Sequence, residues 1–308
     1  MKKLIICAAA AIVALASCSK TQVINTEDPK EIGFKTITGV MTKAEQKTGV
    51  FTQDLGVIAY YTYGGTEKMY FDNSQFTRES GQPLWDGVAK KYWPLQGTLD
   101  FIVYSPYQSG SVVVDKKITL VVDNSAYTSI GNQVDYLYGG EYVTGKEKSE
   151  DAVSVELKHA LAKVTLNFKG TPGITVNSVE LEKPCLKGTY SVNYLSSSIA
   201  PVWSSTTQMG GNLLLSDFVG KSLEQDDYQS VSIMVVPAEA SKILLTYSLP
   251  GSEYNNNSNM NLKAEIPLNE DWESGKQYTY NITMTTYEIK VDTKVVEWVD
   301  KVNDDKTL

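Results

Sequence analysis

Apolar residues in this chain follow a two-residue period or form short runs, and both patterns are typical of β-strands. Clear examples are Val57–Tyr63, Leu99–Tyr104 and Ser111–Val114, each bounded by Gly, Pro, Asn or Ser. After residue 18, no stretch keeps a helical period with a cap at both ends; a short helical turn is expected only near 213–219. The pattern therefore predicts an all-β protein.

The same pattern continues through the second half, where loops rich in Gly, Asn and Ser separate the apolar runs. Further strands are predicted at 174–182, 228–236, 242–249, 259–267 and 276–285. A charged segment without apolar residues, Gly145–Asp151, divides the two strand-rich halves. We expect antiparallel β-sandwiches, one in an N-terminal domain of residues 44–150 and one in a C-terminal domain of residues 151–308.

The alternation changes phase near the single histidine, His159. Val153, Val155 and Leu157 share one parity. The other parity holds Ala160, Ala162, Val164, Leu166 and Phe168. A phase change in a strand indicates a bulge or a bend. We therefore predict a bend near His159 and a structural role for its imidazole at the edge of the core.

The last strand has an apolar comb. Tyr287, Ile289, Val291 and Val295 point to one side, and charged residues alternate with them on the other. Residues 287–299 extend about 43 Å when fully stretched. Such a strand either folds back on its own domain or fills a groove in a neighbouring molecule, where ladder hydrogen bonds supply affinity. The sequence leaves both alternatives open.

The first residues have the pattern of a secretion signal. Lys2 and Lys3 precede the apolar run Leu4–Ala16, which is shorter than the about 20 residues of a membrane span. The run ends in Leu-Ala-Ser-Cys18, the pattern that bacterial lipoprotein processing requires. We predict a lipoprotein signal peptide at 1–17 and an N-terminal lipid on Cys18; the alternative is an ordinary signal with a chance cysteine. The polar residues 19–30 then form a flexible leader.

Charge and residue usage exclude several classes of function. The net charge is −8 and Arg78 is the only arginine, which argues against nucleic-acid binding. With one histidine in the chain, zinc sites and Ser or Cys nucleophile systems lack their usual imidazole. Gly220-Lys221-Ser222 resembles the end of a phosphate-binding loop, but Leu215 occupies the position of the required first glycine. We predict no catalytic residues, no metal and no cofactor other than the lipid.

The aromatic and acidic residues leave two rival functions open. Five tryptophans could stack on sugars, as in a surface glycan-binding lipoprotein, although core packing is the commoner role of tryptophan. They are Trp85, Trp93, Trp203, Trp272 and Trp298. The 36 acidic residues permit a carboxylate pair of a glycoside hydrolase, but the sequence singles out no pair.

Several motifs together resemble the fimbrillin-like proteins, the type V pilin subunits of Bacteroidetes. The stretches that carry the resemblance are the Leu-Ala-Ser-Cys18 motif, Glu31–Thr36 with Met41–Ala44, Leu55–Tyr60, Tyr92–Pro106 (YWPLQGTLDFIVYSP), Leu157–Val164 (LKHALAKV) and Trp272–Tyr280 (WESGKQYTY). The YWP block and the HALAKV strand are specific in combination and weak alone.

The resemblance implies two transthyretin-like β-sandwich domains and a lipoprotein precursor that reaches the outer membrane. It further implies that a protease removes a first strand, here residues 18–43 with Ile32 and Phe34 as core-filling side chains. Another pilin subunit would then insert its terminal strand, here about 286–299, into the open groove. The function that the resemblance implies is a fimbria that supports adhesion or biofilm formation.

One departure from the family concerns the cleavage position. The family typically has arginine there, whereas this chain has Lys43, with Lys47 nearby. Lysine lacks the planar two-donor fork of arginine, so an arginine-specific protease would not cut at this point. Either a lysine-tolerant protease acts, or the subunit stays uncut and lipid-anchored. Stalk, tip and anchor roles therefore stay open.

Overall fold

The computed structural model of the chain describes residues 30–37, 53–79, 82, 84–139, 143–148, 151–193, 200–239, 242–251 and 259–298. The predicted signal peptide at 1–17 lies outside these residues. So do the predicted lipidation site Cys18 and the candidate processing sites Lys43 and Lys47.

The described residues form 21 strands and one 3-10 helix. The first ten strands are β1 (Gly33–Ile37), β2 (Leu55–Tyr63), β3 (Thr66–Thr77), β4 (Trp85–Gly87), β5 (Thr98–Ser105), β6 (Val113–Val114), β7 (Lys117–Asp123), β8 (Leu137–Gly139), β9 (Val143–Lys146) and β10 (Val153–His159). The next six are β11 (Ala162–Gly170), β12 (Thr175–Leu181), β13 (Cys185–Asn193), β14 (Val202–Gln208), β15 (Leu213–Leu214) and β16 (Lys221–Ser222). The last five are β17 (Gln229–Val235), β18 (Lys242–Leu249), β19 (Met260–Pro267), β20 (Lys276–Met284) and β21 (Ile289–Glu297). The 3-10 helix, Ser216–Phe218, falls in the predicted helical turn, and the all-β class is confirmed.

The first half of the chain forms a closed ring of paired strands. The strands follow the order β2, β3, β4, β1, β10, β8, β5 and β9. An additional β2–β5 pairing closes the ring, and β9 is added beside β5. Each strand from β2 to β5 in this order consequently has a neighbour on both sides. The inward side chains form one core, which includes Phe34, Phe71, Phe76, Phe101 and Val155.

The second half forms a sandwich of two sheets around a second core. One sheet has the order β17, β11, β20 and β21; the other has the order β15, β12, β18 and β19, with β16 added beside β12. Val164, Phe168, Leu245 and Tyr280 are among the residues packed between them. Among the described strands, all pairs are antiparallel except β1–β10 and β11–β20, which are parallel.

A third core and a fourth sheet join the two halves. This sheet has the order β14, β13, β7 and β6, so β7 from the first half pairs with β13 from the second, from Asp123↔Lys187 to Lys117↔Asn193. Its inner face packs against the outer face of the ring through residues such as Ile102, Leu120 and Tyr190. The predicted boundary between residues 150 and 151 stays a prediction.

The predicted bend near His159 is confirmed. β10 ends at His159 and β11 begins at Ala162, and the two strands belong to different sheets. The connector Ala160–Leu161 is buried at the junction of the halves, where the Ala160 N–H donates to the Tyr136 carbonyl at 2.8 Å. The phase change in the sequence therefore marks the passage from the ring to the sandwich.

Three observations on the described residues concern membrane spans, metal ligands and the Gly-Lys-Ser tripeptide. Across the described ranges, no helix is long and apolar enough to cross a membrane. In the same part of the chain, no three His, Cys, Asp or Glu side chains come together as a metal site. Lys221 and Ser222 form β16, which pairs with β12, so the Gly-Lys-Ser tripeptide lies in a strand pairing and not at a helix start.

Candidate functional site: the first and last strands

The first strand, β1, is a member of the ring and fills the slot between β4 and β10. It pairs in parallel with β10, with Phe34 opposite Val153, and antiparallel with β4, with Phe34 opposite Trp85. Because β1 hydrogen-bonds on both sides, it closes the ring between β4 and β10. The predicted first strand is thus placed where its loss would leave two unpaired sheet edges.

Two apolar side chains of this segment enter the first core. Ile32 and Phe34 are 1% and 0% exposed. The Phe34 ring lies edge-on to Phe76 at 4.9 Å and to Phe101 at 5.3 Å between centroids. Fully burying side chains of this size stabilises a fold by about 1.5–3 kcal/mol each. Both residues therefore fill the core, as the resemblance to the family implies.

The chain entering β1 is fixed by backbone bonds and one ion pair. The Ile32 N–H donates to the Lys91 carbonyl at 3.0 Å, and the Trp93 N–H donates to the Lys30 carbonyl at 2.9 Å. Lys90 Nζ lies 2.8 Å from Glu31 Oε2. This hydrogen bond and the carboxylate charge raise the pKa of Lys90. The segment is thus held by the residues around Tyr92 as well as by its strand neighbours.

The last strand, β21, has a different position, at the edge of a sheet in its own chain. It pairs antiparallel with β20 over its full length, from Met284↔Ile289 to Lys276↔Glu297. Among the described strands, none pairs with its other side. Of the two alternatives for this strand, the structure thus contains the folded-back one.

The predicted apolar comb of the last strand is only partly packed. Ile289 and Val291 are half-buried against the core of the sandwich. Val295 is 44% exposed, and Tyr287 is 83% exposed. Tyr287 lies before the strand, in a turn closed by the Thr285 N–H donating to the Glu288 carbonyl at 2.9 Å, so it cannot join the ladder. The packed part of the comb therefore ends at Val291.

The residue after β21 is the best-buried part of the terminal segment. Trp298 is 7% exposed, and its ring stacks on His159 at 3.4 Å between centroids with an interplanar angle of 2°. His159 Nδ1 lies 2.8 Å from Asp135 Oδ2, and both side chains are buried. The sequence predicts a structural histidine at the core edge; the structure places it fully inside. The sequence analysis did not predict that His159 stacks on Trp298. The available signal was the position of an aromatic residue near the end of the last predicted strand.

Glu297, the last residue of β21, affects the pKa values of groups in both halves. Lys276 of β20 forms an ion pair with Glu297, whose hydrogen bond raises the pKa of Lys276. Burial, together with the Glu297 carboxylate, raises the pKa of Tyr138 in the ring to about 12. The end of the terminal strand thus lies at the junction of the ring and the sandwich.

The tryptophans provide no open platform for sugars. Trp85, Trp93, Trp272 and Trp298 are buried. Trp203 is half-buried, and its indole N–H donates to Ser274 Oγ at 3.0 Å. Core packing, the commoner role of tryptophan, is therefore confirmed for four of the five. The glycan-binding alternative loses the residues on which the sequence pattern based it.

The sequence of this chain is similar to those of fimbrial proteins. A family model described as fimbrillin-like matches residues 23–298. A Bacteroides uniformis protein that carries the name of a fimbrium subunit, Fim1C, is 26% identical over 317 aligned positions, which cover 96% of this chain and 95% of that protein.

Solved structures share the fold. A fimbrial protein from Bacteroides vulgatus has a TM-score of 0.62 and 17% identity, covering 87% of this chain and 99% of its own. A structure from Bacteroides ovatus, described as a cell adhesion protein, has a TM-score of 0.56 and 20% identity, covering 89% of this chain and 98% of its own. At these identities the likeness concerns the fold alone.

Proposed function

Because the chain belongs to the fimbrillin-like family, we propose that it is a structural subunit of a fimbria and that it polymerises by strand donation. Membership implies interaction with other pilin subunits and a location in a fimbrium at the cell surface. The finer proposal is that residues 18–43 are removed and that residues 286–299 enter the vacated slot of another subunit. The resulting fibre would support adhesion or biofilm formation.

The observation that carries the proposal is the position of β1 inside a closed ring. Its loss would expose the backbone edges of β4 and β10 and an apolar groove next to Phe76 and Phe101. An exposed edge above an apolar groove is a strong liability for a monomer. A strand from another subunit removes this liability by forming main-chain hydrogen bonds and by placing alternate side chains in the groove.

The terminal segment has the properties of a donor. It is a long edge strand with one strand partner, and its apolar residues Ile289 and Val291 are half-buried. Detaching β21 from β20 breaks one strand pairing, whereas detaching β1 from the ring breaks two. The two residues are two positions apart, as are Ile32 and Phe34 in the slot, so both pairs have the same spacing along a strand.

The proposal includes a lipid anchor for the precursor. Cys18 would carry acyl chains that hold the precursor at the outer membrane. Removal of the leader would release the subunit from this anchor, whereas an uncut subunit would stay at the membrane.

The proposal can be tested by opening the slot at one chosen position. Arg78 is the only arginine in the chain, so the double variant K43R/R78K has a single site for an arginine-specific protease. The chain without residues 1–17 is treated with this protease. We expect the cleaved variant to form multimers that survive on unboiled gels, while the uncleaved variant and the protease-treated R78K variant stay monomeric.

A matched pair of variants identifies the donor. The cleaved K43R/R78K chain that also lacks residues 286–308 should stay monomeric and should bind a synthetic peptide of residues 286–299. Multimers of this shortened chain would show that the terminal strand is not the donor. A cleaved full-length variant that stays folded and monomeric at every concentration would overturn strand donation altogether.

Natural processing is checked by the N-terminus of the protein purified from cells. Acylated Cys18 corresponds to a retained anchor, whereas Ala44 or Thr48 corresponds to excision after Lys43 or Lys47. In the second case, the K43A/K47A variant should retain its lipid, while K30A, which also removes a lysine of the leader region, should be processed normally.

A further inference from the structure

The described part of the terminal segment has one buried side chain. From Ile289 to Trp298, only Trp298 is buried; Val295 and Val296 are 44% and 40% exposed. A buried tryptophan contributes more apolar contact area than any other side chain, and a stacked aromatic contact adds to this. Apart from the ladder to β20 and the half-buried Ile289 and Val291, the described part of the terminal segment is therefore anchored by Trp298, the residue after β21.

The pocket around Trp298 is built from both halves of the molecule. The indole stacks on His159, which ends β10 of the ring, and Lys163 of β11 places its ammonium 5.5 Å from the ring centroid. Asp135, 2.8 Å from His159, fixes the imidazole from behind. Trp298 belongs to the same buried cluster as the connector Ala160–Leu161.

The backbone of Trp298 is bound to the same junction. Its N–H donates to the Gly275 carbonyl at 2.7 Å, and the Gly275 N–H donates to the Leu161 carbonyl at 2.9 Å. Ser274 Oγ donates to the Ala160 carbonyl at 2.7 Å. Gly275 has a φ of +71°, a conformation that side-chain-bearing residues rarely adopt, so this turn depends on glycine. The turn that receives Trp298 is therefore fixed to the connector between ring and sandwich.

We propose that Trp298 is a latch: the indole keeps β21 on its own subunit, and withdrawal of the indole from the His159 pocket is the step that releases the strand. The inference rests on the proposed function, because the released strand is the one offered to another subunit. With the indole in place, the strand is held at both ends, by the turn at Thr285–Glu288 and by the pocket. Without it, β21 can separate from β20 starting at Glu297.

The latch predicts a local change in hydrogen exchange. In W298A, the amides that form the ladder between β20 and β21 should exchange at least about tenfold faster. This change corresponds to a loss of about 1.4 kcal/mol of local stabilisation. Amides of the ring core should exchange at unchanged rates. The matched control is V296A, which also shortens an apolar side chain of the segment but an exposed one. It should change these rates less than about twofold.

Graded variants keep the test informative if W298A is poorly folded. W298F retains an aromatic stack and should restore most of the protection, whereas W298L retains apolar volume without a stack and should restore less. Equal β20–β21 exchange in wild type, W298L and a folded W298A would overturn the latch. So would a rise in exchange in W298L that is as large in the ring as in β21.

Assembly separates this inference from the proposed function. In the cleaved K43R/R78K background, W298A should form multimers faster than W298F. If no variant forms multimers but W298A frees β21, strand donation fails and the latch is retained. If multimers form at the same rate in W298A, W298F and V296A and exchange is unchanged, donation is retained and the latch is wrong.

Discussion

The first and last strands are opposite solutions to the same packing problem. β1 has five residues and neighbours on both sides, and the side chains of Phe34 and of the preceding Ile32 are fully inside a core. β21 has nine residues, one neighbour and mostly exposed side chains. Removing β1 leaves a gap in the ring with unpaired edges on β4 and β10. Removing β21 leaves one unpaired edge, on β20. This difference supports the proposed roles, with β1 as the strand that is removed and β21 as the strand that is donated.

The largest expected effect concerns the filled slot. Phe34→Ala should lower the free energy of unfolding by about 3–5 kcal/mol, because it leaves a cavity among aromatic rings. Val295→Ala should lower it by less than about 0.5 kcal/mol, since this side chain is largely exposed. Urea unfolding of the chain without residues 1–17 measures both; similar losses would contradict the asymmetry between the strands.

A smaller effect is expected within the last strand. Ile289→Ala removes a half-buried side chain and should cost about 1 kcal/mol, mainly as faster hydrogen exchange at the β20–β21 ladder. Val296→Ala in the same strand serves as the control. An Ile289→Ala loss as large as that of Phe34→Ala would mean that β21 is a full member of the core and a poor donor.

The smallest effect concerns two ion pairs, one next to β1 and one at the end of β21. Glu31 pairs with Lys90 before β1, and Glu297 pairs with Lys276 at the end of β21. Because the hydrogen bonds raise the pKa values of both lysines, each pair contributes fully below the ordinary lysine pKa of 10.5, and its contribution is lost as the pH rises through the raised value. Glu297→Gln should increase exchange at the end of β21 in low salt, whereas Glu31→Gln should leave β1 protected. Equal fraying of both strands would contradict the comparison.

Local patterns predicted much of this fold. The runs at 57–63, 99–104 and 276–285 coincide closely with β2, β5 and β20, because alternation and flanking turn residues act over a few positions. The burial of Ile32 and Phe34 also followed from the sequence, through the resemblance to the family. The phase change at His159 correctly marked a bend.

Long-range pairing could not be predicted in the same way. No local signal pairs β7 with β13 or places β10 parallel to β1, since register depends on which faces meet in three dimensions. Trp298 and His159 are far apart in the sequence, and the resemblance of Leu157–Val164 to a family motif did not indicate that its histidine receives an indole. The apolar comb was predicted over too long a stretch because Tyr287 belongs to a turn.

The ladder between β7 and β13 has a mechanical consequence. Separate domains in one chain are expected to move relative to each other when little connects them. Here seven residue pairs, from Asp123↔Lys187 to Lys117↔Asn193, connect the first half of the chain to the second. In a fibre of such subunits, we expect this sheet to share tension with the covalent connector, so that the two halves of each subunit move together and not as separate domains.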